Sequence, residues 1–189
     1  LKASHEIEQL ESQLFRQLID TAQVYVKAWL STTAMIAELD VFRSFGQLAS
    51  DKNYCKPTVH NGDSIQIQEG RHPVIESCLP HNETYLPNSV LLDRNSCQIM
   101  MITGPNMSGK SAVLRQTALI TYLAHIGCYV PAKAADIAIT SRIFSRVGAS
   151  DNLARGESTF MVEMTETARI IHQIDDHSLI LLDEIGRGT

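Results

Sequence analysis

The stretch Thr103–Gln116, TGPNMSGKSAVLRQ, decides the fold of this chain. Its residues Gly104–Ser111 match the pattern GxxxxGKS/T, a loop whose glycines let backbone N–H groups turn inward around phosphate oxygens. The apolar run QIMMIT at 98–103 precedes the loop and predicts a buried parallel strand. A helix is predicted to follow from about Gly109 to Ile126, and its positive N-terminal end favours an anion. The sequence therefore predicts a strand, loop and helix that together bind phosphate.

Two side chains at the end of this loop carry its chemistry. The ammonium of Lys110 can bridge the β- and γ-phosphates of a nucleotide. The hydroxyl of Ser111 can join the ligand shell of a Mg²⁺ ion. We therefore expect ATP and Mg²⁺ to be the ligands of the loop.

A second apolar run, LILLDE at 179–184, ends in two acids. A strand here would deliver Asp183 to the carboxyl edge of a parallel sheet, where such folds bind ligands. Asp183 is then a candidate Mg²⁺ ligand, and Glu184 a candidate base that orients and activates water. Taken alone, the pattern indicates two surface acids at the end of a strand, but the loop upstream favours the functional interpretation.

A third element is the stretch ASDNLARGESTFMVEM, in which Ser158 precedes a helix predicted from Thr159 to Ile174. Ser158 is a plausible N-cap, which would make a second helix terminus suited to anions. On the residues alone an ordinary cap is the better interpretation. Phe160, Met161 and Met164 are interpreted as core.

The first half of the chain has the character of a scaffold. Residues 4–50 predict long helical structure, packed as a hairpin or bundle, with a break near Ser31–Thr33. Asn61-Gly62 predicts a two-residue hairpin turn joining a small antiparallel pair. Short strands and loops are predicted for the segments EGRHPVIE and HNETYLPNSVLLD.

His72 stands before Pro73, so we expect it to be extended and to have a structural or hydrogen-bonding role. Strands are also predicted for ADIAIT and RIFSRV, at 135–140 and 142–147.

The composition narrows the class of protein. The net charge is -5 and the pI about 5.8, and no cluster of Lys and Arg is present to grip DNA over a wide surface. The cysteines form no CxxC pair, which argues against zinc and for reduced thiols in the cytosol. The most apolar stretch, 118–130, is too short to span a membrane. Because the chain starts at Leu1 inside a helical pattern and stops after Gly-Arg-Gly, we expect a fragment.

With these pieces placed, the chain resembles the MutS family of DNA mismatch-repair ATPases. The resemblance rests on TGPNMSGKS, RQTALI, YVPA, SRVGASDNLARGESTFMVEMTET and LLDEIGRGT, and it extends through AELDVF and EGRHPVIE in the first half. The form STFMVEMTE is closer to the mismatch-recognising branch than to the branch with a nuclease tail. The family's loop most often has Gly where this chain has Ser108, and Thr where it has Ala112; both changes should leave phosphate binding intact.

The resemblance implies an ABC-type ATPase in which two subunits pair and each nucleotide lies between them. Ser158 would then reach the γ-phosphate of the partner subunit's nucleotide, Tyr85 would stack on adenine, and Asn106 would sit near the γ-phosphate. Glu184 and Lys110 are the implied catalytic residues, and Ser111 and Asp183 the implied metal ligands. The implied ATP-binding residues are Gly104, Pro105, Asn106, Met107, Ser108, Gly109, Lys110, Ser111, Ala112 and Tyr85.

The resemblance also implies an organisation. The fold class is α/β, a P-loop (ABC-type) NTPase sheet that is incomplete at the C-terminus and preceded by long lever helices. Residues 1–50 would end the lever, 51–97 would form a small antiparallel strand region, and 98–189 would form the N-terminal half of the P-loop core. A further strand would lie between the strand before the loop and the LILLDE strand, so we expect a gap and weak or no hydrolysis by this chain alone.

The implied partners are a second MutS subunit in a homodimer, mismatched double-stranded DNA held by domains outside this chain, and a downstream mismatch-repair protein, with no membrane involved. The implied location is the bacterial cytoplasm, in association with the nucleoid. Two alternatives stay open. A P-loop ATPase of a chromosome-structuring or transporter class would usually carry a signature closer to LSGGQ, and a purely structural module would bind no nucleotide at millimolar ATP.

Overall fold

The computed structural model describes residues 2–80, 82–147 and 159–186. The chain divides into two units, residues 1–46 and 47–189. The helices are α1 Lys2–Lys52, α2 Pro73–Cys78, α3 Lys110–His125 and α4 Thr159–Gln173. The strands are β1 Thr58–His60, β2 Ser64–Gly70, β3 Asn88–Asp93, β4 Ala134–Ala138, β5 Arg142–Arg146 and β6 Ser178–Leu182.

The first unit contains most of α1, a single uninterrupted helix whose last residues, 47–52, belong to the second unit. The helical prediction is confirmed, but the break near Ser31–Thr33 and the packing as a hairpin are wrong. The Thr32 hydroxyl donates to the Ala28 carbonyl, 2.9 Å away, so this polar residue is satisfied within the helix and does not end it. Large apolar side chains such as Leu14, Leu18 and Trp29 are exposed along it.

The second unit contains a four-stranded sheet in the order β1-β4-β2-β3. Strand β4 runs parallel to β1 and antiparallel to β2, and β2 is antiparallel to β3. The predicted hairpin at Asn61-Gly62 is therefore wrong, because β4 lies between the two strands that flank this turn. Ile137 of β4 stands opposite both Val59 and Ile65, so one buried isoleucine packs beside both strands.

A short helix, α2, replaces the strand and loop that were predicted around His72. His72 is extended, at φ -86° and ψ 112°, and caps the helix by accepting a hydrogen bond on Nδ1 from the Ile75 N–H at 3.3 Å. Pro73 opens the helix, where its fixed φ is favourable and its missing N–H costs nothing. The hydrogen-bonding role predicted for His72 is confirmed, and burial lowers the pKa of its imidazole.

Helix α3 joins the four-stranded sheet to the parallel pair β5–β6, since it contacts strands of both. Its predicted bounds and those of α4 and β5 are confirmed to within one residue, and the strands β4 and β6 are confirmed with C-terminal ends two residues earlier than predicted. The mixed α/β class is therefore confirmed. The buried core comprises Ile65, Ile67, Val90, Ile120, Ala124, Val130, Ala132, Ala135, Ile137, Leu179 and Leu181.

The run QIMMIT before the loop does not form the predicted buried strand. Ile99 and Met101 are each 83% exposed. A strand needs a hydrogen-bonded neighbour, and residues of this run and of β6 are among those that line a groove of about 750 Å³. The further strand that the resemblance implies between these two segments stays a prediction.

The face of helix α4 that is buried differs from the predicted one. Met161 is 58% exposed, while Phe160 and Met164 are only half-buried, so the interpretation of Met161 as core is wrong. The buried side chain is Glu163, at 3% exposed. An acid takes the inner position because a cation and a backbone N–H are there to meet it, as described below.

Candidate functional site

The loop Gly104–Gly109 has a backbone that requires glycine at two positions. Gly109 precedes the first turn of α3 with a left-handed φ of 90°. A Cβ on Gly104 would lie 2.9 Å from the Ser108 hydroxyl, closer than real contacts allow. Met107 is also left-handed, at φ 63°, and its side chain is fully exposed. The loop thus wraps tightly and delivers its last residue to the N-terminus of α3.

Lys110 holds this loop closed on itself. Its Nζ donates to the carbonyl oxygens of Gly104 and Pro105, at 2.8 and 2.7 Å. These two carbonyls are neutral acceptors, whereas phosphate oxygens are charged and would form stronger hydrogen bonds with an ammonium. The ammonium is therefore placed at the loop and can exchange its carbonyl partners for an anion.

Ser111 and Asp183 meet across the molecule. The Ser111 hydroxyl donates a short hydrogen bond to Oδ2 of Asp183, a residue 72 positions later in the chain. Helix α3 places the hydroxyl on its first turn, and β6 places the carboxylate directly after its last residue. A hydroxyl beside a carboxylate is an oxygen set of the kind that Mg²⁺ prefers, so the residues present fit that ion.

Glu184 follows Asp183 in a turn after β6. Its backbone is left-handed, at φ 52°, and its side chain is exposed. A non-glycine residue in this region is uncommon, and such conformations cluster at functional sites. The exposed side chain lies one residue from Asp183.

Tyr85 is tied to the same helix that starts at the loop. Its hydroxyl donates to Oε1 of Gln116 at 3.0 Å, and burial raises the pKa of the phenol. Gln116 is fully buried on α3, and its amide nitrogen donates to the Asn88 carbonyl at 3.4 Å. Gln116 was not singled out from the sequence, because nothing in RQTALI distinguishes a buried polar anchor from a surface one.

Glu163 and Arg146 form a second polar cluster at the turn that carries Asp183 and Glu184. Oε1 of Glu163 accepts the Gly186 N–H at 2.5 Å, and Oε2 lies 3.9 Å from a terminal nitrogen of Arg146. Both side chains are buried, at 3% and 11% exposed. These residues were missed in the sequence, although an acid inside the apolar run FMVEM is a usable signal.

Comparison with known proteins identifies the chain. Residues 100–189 match the family model described as MutS domain V. The DNA mismatch repair protein MutS of Flavobacterium psychrophilum is 54% identical over 189 residues, which is 100% of this chain and 22% of that protein. The corresponding proteins of Christiangramia forsetii and Bacteroides fragilis are 54% and 49% identical over the same coverage. The chain belongs to the MutS family. It spans about a fifth of the length of these curated MutS relatives.

The MutS domain V match contains most of the predicted site. Both the loop 104–112 and the acids Asp183 and Glu184 lie within residues 100–189, whereas Tyr85 precedes them. The described residues of this MutS-family chain bring Lys110, Ser111 and Asp183 together and leave Asn106 exposed in the loop. Ser158 lies outside the described residues.

Among residues 2–80, 82–147 and 159–186, no group of three or more His, Cys, Asp or Glu is arranged to hold a metal ion. Within these ranges, no helix combines the length and apolarity that crossing a bilayer requires. The cysteines Cys55, Cys78, Cys97 and Cys128 are free thiols.

Proposed function

We propose that this chain is the nucleotide-binding part of a DNA mismatch-repair protein, and that the whole protein couples ATP binding and hydrolysis to the recognition of mismatched DNA. The observation that carries the proposal is the contact between Ser111 on the loop helix and Asp183 after β6. Membership of the MutS family supports it and does not favour an ATPase of another class.

In this proposal the loop binds the triphosphate. The N–H groups at the start of α3 and the Lys110 ammonium stabilise the negative charge that grows on the γ-phosphate during in-line attack. Lys110 then gives up its bonds to the Gly104 and Pro105 carbonyls. Because the loop already places the ammonium, little reorganisation is needed.

Ser111 and Asp183 would hold Mg²⁺, which when bound neutralises charge on the phosphate oxygens. Glu184 would accept a hydrogen bond from the attacking water and orient it. Glu184 is exposed and its backbone adopts a left-handed turn, which gives its side chain a defined direction. Tyr85, anchored through Gln116, would stack on the adenine ring.

The partners belong to the whole protein. A second copy would complete each site by contributing its own Ser158, mismatched duplex DNA would be held by other domains, and a downstream repair protein would respond to the nucleotide state. The net charge of -5 is consistent with DNA binding by other domains, because a chain of this charge attracts no phosphate backbone over a wide surface.

The test replaces Lys110 in the full-length protein. Lys110→Ala should lower ATP hydrolysis by about 100-fold or more, because it removes a cation aimed at the developing charge, and it should abolish ATP-dependent release from mismatched DNA. Steady-state hydrolysis and release of a labelled mismatched duplex are the measurements.

The matched control is Lys133→Ala. Lys133 is an exposed lysine paired with Glu69 at 2.7 Å, away from the loop, and its loss should leave both readouts unchanged. Normal hydrolysis and release in the Lys110→Ala protein would refute the proposed function.

A further inference from the structure

The turn that carries Glu184 is conformationally demanding. It begins where β6 ends and runs through Asp183 to Gly186, with left-handed values of φ at Glu184 (52°) and Gly186 (84°). Glycine adopts this region freely, but a glutamate does so only when its surroundings fix the backbone. Contacts on both sides of Glu184 therefore decide whether the turn persists.

Hydrogen bonds fix both ends of this turn. The Asp183 N–H donates to the Arg146 carbonyl at 2.8 Å, which continues the parallel pairing of β5 with β6 by one step. The Gly186 N–H donates to Oε1 of Glu163 on α4 at 2.5 Å. Glu184 lies between these two fixed backbone groups.

The two ends are also connected to each other. Arg146, whose carbonyl fixes one end, directs its guanidinium toward the Glu163 carboxylate that fixes the other, at 3.9 Å. A second terminal nitrogen of Arg146 lies 3.4 Å from Glu166, one turn further along α4. Since Glu163 is buried and meets both a cation and an N–H, its carboxylate is held in place rather than free to rotate.

We propose that Glu163, supported by Arg146, is a positioning residue for Glu184 in the hydrolytic reaction. It touches no reacting atom. It fixes the backbone of the turn, and so aims the Glu184 carboxylate at the attacking water. This inference rests on the proposed ATPase function and adds to it a residue on α4 that controls the geometry of the hydrolytic step.

The experiment compares two conservative substitutions in the full-length protein. Glu163→Gln keeps an oxygen at the same reach for the Gly186 N–H, whereas Glu163→Asp withdraws the carboxylate by about 1.5 Å, one carbon–carbon bond. A displacement of that order in a catalytic group lowers rates by roughly 10- to 100-fold. Glu163→Asp should therefore lower kcat by that factor, with KM and the affinity for a non-hydrolysable ATP analogue within about threefold of the wild type. Glu163→Gln should retain most of kcat.

Glu166 provides the matched control. It is a glutamate on the same helix that also faces Arg146, but its side chain is 49% exposed. Glu166→Asp and Glu166→Gln should both leave kcat close to the wild-type value, and the thermal midpoints of all four variants should lie well above the assay temperature.

Three results would overturn the positioning role. They are a wild-type kcat in Glu163→Asp, an equal loss of kcat in both Glu163 variants, and a parallel loss of kcat, ATP affinity and thermal midpoint. Failure of the proposed function is seen separately, as ATP turnover in the unsubstituted protein that is absent or that Lys110→Ala leaves intact.

Discussion

Gln116 is a polar side chain without exposed surface, and it fits because the residue opposite is glycine. A Cβ on Gly70 would lie 2.6 Å from the Gln116 amide nitrogen and 2.7 Å from Cγ2 of Ile67. Neither neighbour can retreat, since both are fully buried. Gly70 therefore sets the position of Gln116 and, through it, of the Tyr85 hydroxyl.

Gly70→Ala should destabilise the full-length protein by about 1–3 kcal/mol, because the added methyl overpacks the core. The thermal midpoint measures the effect. The control is Gly46→Ala, which adds the same methyl within α1 where no atom lies within 4 Å; this change should be neutral or stabilising, by up to about 1 kcal/mol. A Gly70→Ala protein with an unchanged midpoint would contradict the packing described for Gln116.

His72 makes the stability of α2 depend on pH. Its neutral ring caps the helix, and burial holds its pKa below the ordinary value of 6.5. The unfolded chain therefore takes up a proton first as the pH falls, so the stability from this group is present above pH 6.5. It is lost below that value, by at most about 1.4 kcal/mol per pH unit, until the folded ring is protonated too.

His72→Asn separates capping from titration, because asparagine is a good N-cap and carries no proton equilibrium in this range. Urea unfolding of the full-length protein at pH 7.5 and 5.5 should show a smaller acid-induced loss in the variant than in the wild type. Equal losses in the two proteins would show that His72 contributes nothing to the pH dependence.

Among the elements, β4 is one of the two inner strands of the four-stranded sheet. Its Ile137 is fully buried between β1 and β2, whereas Ile139, just after the strand, is 48% exposed. Ile137→Ala should cost about 2–5 kcal/mol, and the control Ile139→Ala less than about 1 kcal/mol. Chemical unfolding of the two variants checks this difference, and similar values would mean that β4 is not the core strand.

The elements also show what local sequence can predict. Helix α3 could be predicted because Gly109 marks its start in the sequence. Strand β6 could be predicted because residues 179–182 form a continuous apolar run. The strand pairing around Asn61-Gly62 was predicted wrongly. Strand β4, which lies more than 70 residues later in the sequence, separates the two strands that flank this turn. The buried strand predicted for QIMMIT is absent for a related reason: an apolar run is buried only where another segment covers it.

At the scale of the whole molecule, α3 is the element that both sheets share. It packs against the four-stranded sheet and against β5–β6, and its first turn carries Lys110 and Ser111. The contact between Ser111 and Asp183 was foreseeable, because the sequence predicts both residues as ligands of one Mg²⁺ ion. The bond from Glu163 to Gly186 was not, because no local pattern connects α4 to the turn after β6.

The left-handed backbone at Glu184 places thermostability and activity in opposition. Glycine or asparagine at this position would relieve the conformational penalty that a glutamate bears there. A stability-guided redesign would thus favour removing the one carboxylate that is proposed to orient water. A redesign that aims at higher thermostability should keep glutamate at position 184 and introduce stabilising substitutions at other positions.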